Sequence, residues 1–420
     1  MAETNLLSVL PFITLLLAIA VMPFAAPKWW HEYYHIVSLT LSFITAIYYL
    51  FISKGINILH SFEEYIMFIS LLASLFIISG GIFIGLKGYS TPLRNVLLLG
   101  LGALLANVIG TTGASMLLIR PFIQTNKIRI TSFHIVFFIF IISNCGGALT
   151  PIGDPPLFLG YLKGIPFFWI IDKVFLKWLV VNLFLLVIFY FLDLRNFRRQ
   201  KDEVGQMEKE TGEKLEVKGT FNFIFLAIVI GSVFITKPLF LREFIMIVAA
   251  ILSYKLTNNE IHQRNQFNFF PIKEVAWLFV GIFITMTPAL ELLRTNSNAL
   301  GLISPTQYYW FTGLLSSFLD NAPTYLTFLT ASMGTHNLDV NNVQNVMQFI
   351  AEHEKHVIAI SISAVFFGAM TYIGNGPNFM VKSVADNLNI KTPSFFGYII
   401  KYSIPILIPI YTLVWWLFIV

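Results

Sequence analysis

The sequence predicts an all-α polytopic membrane protein made of two inverted repeats of five transmembrane helices, each with a re-entrant hairpin and a broken helix. Three observations lead there. Hydrophobic residues make up 56% of the 420 residues and charged residues 12%, about half the charged share of soluble domains. Uncharged runs recur that can cross a hydrocarbon core of roughly 30 Å, which takes about 20 residues at 1.5 Å rise. One motif occurs twice: GALTPIGDPPLF at 147–158 returns as GAMTYIGNGPNF at 368–379, with seven of twelve positions identical.

In the first half the apolar runs place helices at 6–27, 36–53, 62–86, 131–162 (broken) and 167–192. The run 6–27 follows MAETN, which lacks the basic residues of a signal peptide, and reads as a retained helix. The run 95–119 is interrupted by Asn107 and by GTTGAS at 110–115. Lipid cannot satisfy the backbone such residues expose, so the stretch belongs inside protein, as a hairpin that enters and leaves on one side. In 131–162, Pro155 and Pro156 remove backbone donors and end the helix.

The second half matches at 219–236, 240–255, 273–292, a hairpin at 304–333, a broken helix at 357–386 and a helix at 395–419. Landmarks follow in order: Pro27 with Pro238, Glu32 with Glu243, Glu64 with Glu274, and Leu104 and Leu105 with Leu314 and Leu315. Their offset of 210–211 grows to 221 across the polar insertion 335–356. Five crossings and a hairpin per half invert the second half. The chain divides into a first repeat (1–192), a polar linker (193–219) and a second repeat (220–420). A cytoplasmic linker puts Lys28, Lys87, Arg94, Lys127, Arg129, Lys255, Arg264 and Lys391 inside, against Lys54, Lys163, Arg294 and Lys355 outside. That bias follows the positive-inside rule and suits an integral protein of a bacterial-type inner (plasma) membrane.

Inverted repeats with broken helices are the build of secondary transporters, whose sites lie near the midplane where half-helices end. Four interruptions should meet there: 107–115, 143–156, 316–324 and 371–378. Two hold acids, Asp154 and Asp320, each costing about 2.5–3.5 kcal/mol at a helix centre. A buried carboxylate favours its proton, and a bound cation favours ionisation, so protons and cations compete for such a site. The plainer role for either acid is to cap a broken helix end, where the dipole favours it. Free carbonyls with Asn and Thr oxygens suit a small alkali cation.

At these residues the chain resembles the NhaD-type sodium/proton antiporters of the ion transporter superfamily, which also holds arsenite permeases and divalent anion/sodium symporters. The likeness is densest in SNCGGALTPIGDPPLFLGYLKGIPFFW, SSFLDNAPTYLTF and TYIGNGPNFMVKSVAD. It implies exchange of Na⁺ or Li⁺ for H⁺ by Asp154 and Asp320, with Asn144, Asn321, Thr324 and Asn375 at polar site positions. Thr111, Thr112, Thr150 and Thr371 complete the expected ion and proton set, and Asp154, Asp320, Asn144 and Asn375 are the expected Na⁺ ligands. The symporters carry Ser-Asn-Thr triplets at their sodium sites, where this chain reads SNC (143–145) and DNAPT (320–324).

The nearest rival is sodium- or proton-coupled transport of an anion of the dicarboxylate, citrate or arsenite type. It wants a central cation, and Arg120 is the candidate, although its place after the hairpin suits an interfacial, snorkelling side chain. An intramembrane aspartyl protease would need a shared proton between two aspartates. It gives no reason for four matched interruptions, so no enzyme is expected. The chain has no nucleotide-binding loop, and its net charge of +5 reads as cytoplasmic loops rather than a nucleic-acid surface. The expected partners are the lipid bilayer, Na⁺, H⁺ and a second copy in a homodimer, with no cofactor. His31, His35, His60, His262, His336, His353 and His356 read as loop residues, with pH sensing the alternative. Cys145 alone precludes a disulfide framework.

Overall fold

The structure, a computed structural model, describes residues 5–52, 54–87, 90–200, 214–235 and 237–420. Among them, eight helices are long and apolar enough to cross a membrane. The first three run Leu10–Ala25, Pro27–Phe51 and Gly55–Gly80. Pro27 starts the second helix well before the expected residue 36, since its missing N–H is unneeded in a first turn. His31 and His35 therefore lie on helix rather than in a loop. Ser38, Ser42 and Thr45 lie at the middle of this helix's buried face, between Tyr34 and Tyr49, and Ser38 Oγ donates to Trp277 O (2.6 Å) on Phe270–Asn296. A Cβ on Gly281 would lie 2.0 Å from Ser38 Oγ, so these two helices meet at the closest spacing glycine permits.

The third helix stops at Gly80, short of the expected 86. Residues Phe83–Lys87 instead pair antiparallel with Lys214–Lys218, Phe83 opposite Lys218. This ribbon is the one departure from all-α structure among the described residues. Asn222 Nδ2 donates to Gly81 O, and Asn265 Nδ2 donates to Gly80 O and Ile82 O, each at 2.8 Å. The centre of the expected linker, 201–213, lies outside the described residues. The linker's first residues are helical: Phe167–Arg199 continues past 192.

The segment Pro92–Thr125 folds back on itself at Gly110, whose φ of 77° and ψ of 155° break the helix. Asn95 and Asn126 would lie about 46 Å apart on a straight helix. Here each donates its side-chain amide to the other's oxygen at 2.8 Å, and Ser90 N donates to Thr125 O at 3.0 Å. A buried charged cluster holds this base. Asp193 Oδ2 accepts from Asn95 Nδ2 (2.8 Å), and Oδ1 accepts from His134 Nε2 (3.0 Å). Arg129 pairs with the same carboxylate and also donates to Ser90 O (2.7 Å). Asp193 is thus wholly buried, not part of a solvated linker.

A second turn-back joins Pro305–Ser316 to Asn321–Gly334. Ser304 and Gln307 form the capping box that starts it, and the Tyr308 and Phe328 rings meet at 6.5 Å across the two arms. The two broken helices run Ser132–Ile141, Cys145–Leu149, Pro155–Leu162 and Glu354–Phe366, Phe367–Met370, Gly376–Asn387. Their loops close on backbone. A Cβ on Gly153 would fall 2.0 Å from Gly147 O, and one on Gly374 would fall 2.6 Å from Gly368 O. The polar insertion carries the helix Val343–Glu352 and gathers three imidazoles. His336 and His353 rings lie 3.7 Å apart and His356 lies 5.6–5.7 Å from both, a cluster rather than scattered loop residues.

Candidate transport site

Asp154 stands between the turn Cys145–Leu149 and the helix Pro155–Leu162. Its carboxylate makes no capping bond. It faces donors from three other breaks instead. Oδ1 accepts from Thr111 Oγ1 (2.7 Å) and Asn375 Nδ2 (3.1 Å), and Oδ2 accepts from Asn321 Nδ2 (2.9 Å). The four interruptions therefore meet at one carboxylate that is 1% exposed.

Asp320 behaves otherwise. It is partly exposed, and its carboxylate accepts from Ala322 N (3.1 Å), capping Asn321–Gly334. The plainer role considered for both acids is the one this side chain fills. Thr324 Oγ1 donates to Asp320 O (2.9 Å). Thr150 Oγ1 donates to Asn107 O (2.6 Å), and Thr371 Oγ1 donates to Ser317 O (2.5 Å). These two bonds join positions offset by the same 221 and 210 residues as the sequence landmarks. Thr112 lines a cavity of about 50 Å³ together with Thr111, Gly153, Pro155, Gly376, Leu72 and Leu75.

Behind Asp154 runs a chain of amides. Asn375 Nδ2 also faces Asn144 Oδ1 (3.2 Å), and Asn144 Nδ2 donates to Asn378 Oδ1 (2.6 Å). Asn378 Nδ2 donates in turn to Gly368 O (2.8 Å) and Thr371 O (2.9 Å). Asn378 and Asn107 were not among the expected site residues, yet both pin the breaks. Asn107 Nδ2 donates to Gly146 O (2.7 Å), and its Oδ1 accepts from Leu149 N (2.9 Å). The signal for Asn378 lay in the repeat, where it stands opposite Leu157: an amide in place of an apolar residue.

Asp154 contacts neutral donors, with no Lys or Arg against it among the described residues. A buried carboxylate held this way is stable when it takes up a proton or a small cation. Membrane-spanning helices broken at a shared polar centre mark the chain as an integral membrane transporter, not an enzyme. A family model described as "Putative citrate transport" matches residues 1–419, and the chain belongs to that family. No match is found among curated proteins.

Proposed function

We propose that the protein is a secondary active carrier that couples movement of a citrate-class carboxylate to Na⁺ or H⁺, with Asp154 as the coupling group. The observation that carries this is the geometry of Asp154: buried, bonded to Thr111, Asn321 and Asn375 from separate breaks, and without a basic neighbour among the described residues. Protonation or cation binding there changes the balance of those bonds, which is how one ion can bias two arrangements of the breaks. The family description supports a carboxylate as the solute.

Exchange of Na⁺ or Li⁺ for H⁺ is the second reading. It is favoured by the uncharged donors on Asp154, which among the described residues offer a polyanion no counter-charge there and suit a lone cation. In either reading Asn144, Asn375 and Asn321 steady the carboxylate. The inverted-repeat architecture belongs to this proposal, with the two turn-backs re-entrant, the linker cytoplasmic and the protein in a bacterial-type inner membrane. It is supported by the recurring Thr-to-carbonyl bonds at offset positions.

Proteoliposomes test both readings in one preparation. Labelled citrate uptake is measured under imposed Na⁺ or pH gradients, and lumenal pH is followed after Na⁺ or Li⁺ addition without citrate. Gradient-driven citrate uptake that Asp154→Asn abolishes is the expected result. Cation-triggered pH change without citrate uptake selects the exchanger. Coupled transport at wild-type rates in Asp154→Asn removes Asp154 from the mechanism.

A further inference from the structure

Arg120 lies on the returning arm of Pro92–Thr125, nine residues beyond Thr111 and so about 13 Å along the same helix. Cations buried more deeply have acids: Lys163 reaches Glu64 (2.5 Å), Arg242 reaches Glu243 (2.6 Å) and Arg129 pairs with Asp193. Arg120 Nη2 instead donates to a neutral oxygen, Gln266 Oε1, at 3.0 Å, and no acid contacts it among the described residues. Gln266 holds that position with a φ of 47°, in the left-handed region that a residue with a side chain seldom adopts.

The guanidinium lines a cavity of about 30 Å³ with Ser79, Asn265, Gln266 and Asn268. Phe76 and Pro271 form part of its wall and also part of the wall of the cavity beside Thr111, Thr112 and Gly153. Phe76 and Phe267 rings meet at 5.5 Å across this boundary. A half-exposed arginine therefore stands one cavity away from the carboxylate site, with aromatic side chains between.

We infer that Arg120 is the docking residue for the transported carboxylate, which its guanidinium takes up before the anion passes Phe76 and Pro271 toward Asp154. The inference rests on the carboxylate reading of the function. Its chemistry is specific. The planar guanidinium matches a carboxylate with two parallel hydrogen bonds, which a lysine ammonium cannot reproduce. The amide of Gln266 occupies the same fork as a neutral, exchangeable partner. A positive charge at the vestibule also offsets the repulsion that Asp154 exerts on an incoming anion.

The test is the concentration dependence of citrate uptake in Arg120→Gln, Arg120→Lys and Arg120→Cys proteoliposomes. Loss of a charge-assisted contact should raise KM about ten- to hundredfold in Arg120→Gln, with the saturating rate little changed and Arg120→Lys in between. Cys145 is wholly buried, so an engineered cysteine is the thiol that reagents reach. Labelling Arg120→Cys with a cationic methanethiosulfonate should lower KM again. A neutral reagent of equal size should not, and citrate should slow labelling. Because labelled and unlabelled samples share one fold, restoration cannot reflect misfolding. An unchanged KM in Arg120→Gln, or labelling indifferent to citrate, overturns the docking role while wild-type citrate uptake persists. Wild-type protein that exchanges cations and takes up no carboxylate overturns the underlying functional reading instead.

Discussion

Asparagine in place of Asp193 keeps the shape of the side chain and removes its charge. The native carboxylate accepts from Arg129, from His134 Nε2 (3.0 Å) and from Asn95 Nδ2 (2.8 Å). In Asp193→Asn one oxygen becomes an NH₂ that must point at one of these donors, and the Arg129 guanidinium, 2% exposed, loses its counter-charge. Removing one partner of a buried pair costs about 3–5 kcal/mol. Thermal unfolding of purified protein, followed by tryptophan fluorescence, should show a fall of roughly 5–15 °C. The double variant Arg129→Met/Asp193→Leu should recover most of it, because apolar groups of similar size leave no buried charge unpaired. A single variant that melts within about 1 °C of wild type, or a double variant whose losses add, would refute the idea that this cluster clasps the hairpin.

Three further outcomes follow from the same contacts. Gly153→Ala puts a Cβ 2.0 Å from Gly147 O, which as backbone cannot swing away, so gradient-driven transport should fall to about a hundredth or less; Gly231→Ala, with open space around it, should stay near wild type. Asn378→Leu strands Gly368 O and Thr371 O and leaves Asn144 Nδ2 with Ile139 O, and at about 1–3 kcal/mol per orphaned group the melting temperature should drop measurably alongside transport. Burial, and then the neighbouring His336, hold His353 below the ordinary imidazole value. As pH falls through about 6.5 the unfolded chain takes the proton first, so stability present above that pH is lost below it. The acid-induced drop in melting temperature should shrink in His336→Gln; an unchanged drop would remove the imidazole pair from consideration.

Much of the fold was legible because its signals are local. Apolar runs of spanning length, and prolines and glycines that stop them, located the breaks and most helices to within a few residues, although the second and third helices start well before 36 and 62. The duplicated motif brings Asp154 and Asn375 into correspondence. What escaped depends on distant partners. Asp193 opens a run of charges, DLRNFRRQKDE, and reads as solvated; its partners Arg129 and His134 stand 64 and 59 residues earlier in the chain. The run GIFIGLK continues an apolar helix in one dimension, and only Lys214–Lys218 beside it makes it a strand. Asp154 and Asp320 both stand just before a helix with proline in its first turn, so their pattern cannot say which carboxylate turns inward and which caps. His336, His353 and His356 read as loop residues because the turn of chain that gathers them leaves no periodic trace.

The two-stranded ribbon has a consequence for how the chain is held together. Phe83–Lys87 belongs to the first half and Lys214–Lys218 to the end of the linker that leads into the second, so the ladder anchors the start of the second half on the first, and Asn222 and Asn265 join the halves directly at Gly80, Gly81 and Ile82. A cut within 201–213 severs none of these bonds. The covalent connection between the halves then acts chiefly as a tether, one that keeps them in equal number and at high local concentration while they find each other. Two separately synthesised polypeptides, meeting at this ladder and at Asp154, would carry every contact of the site.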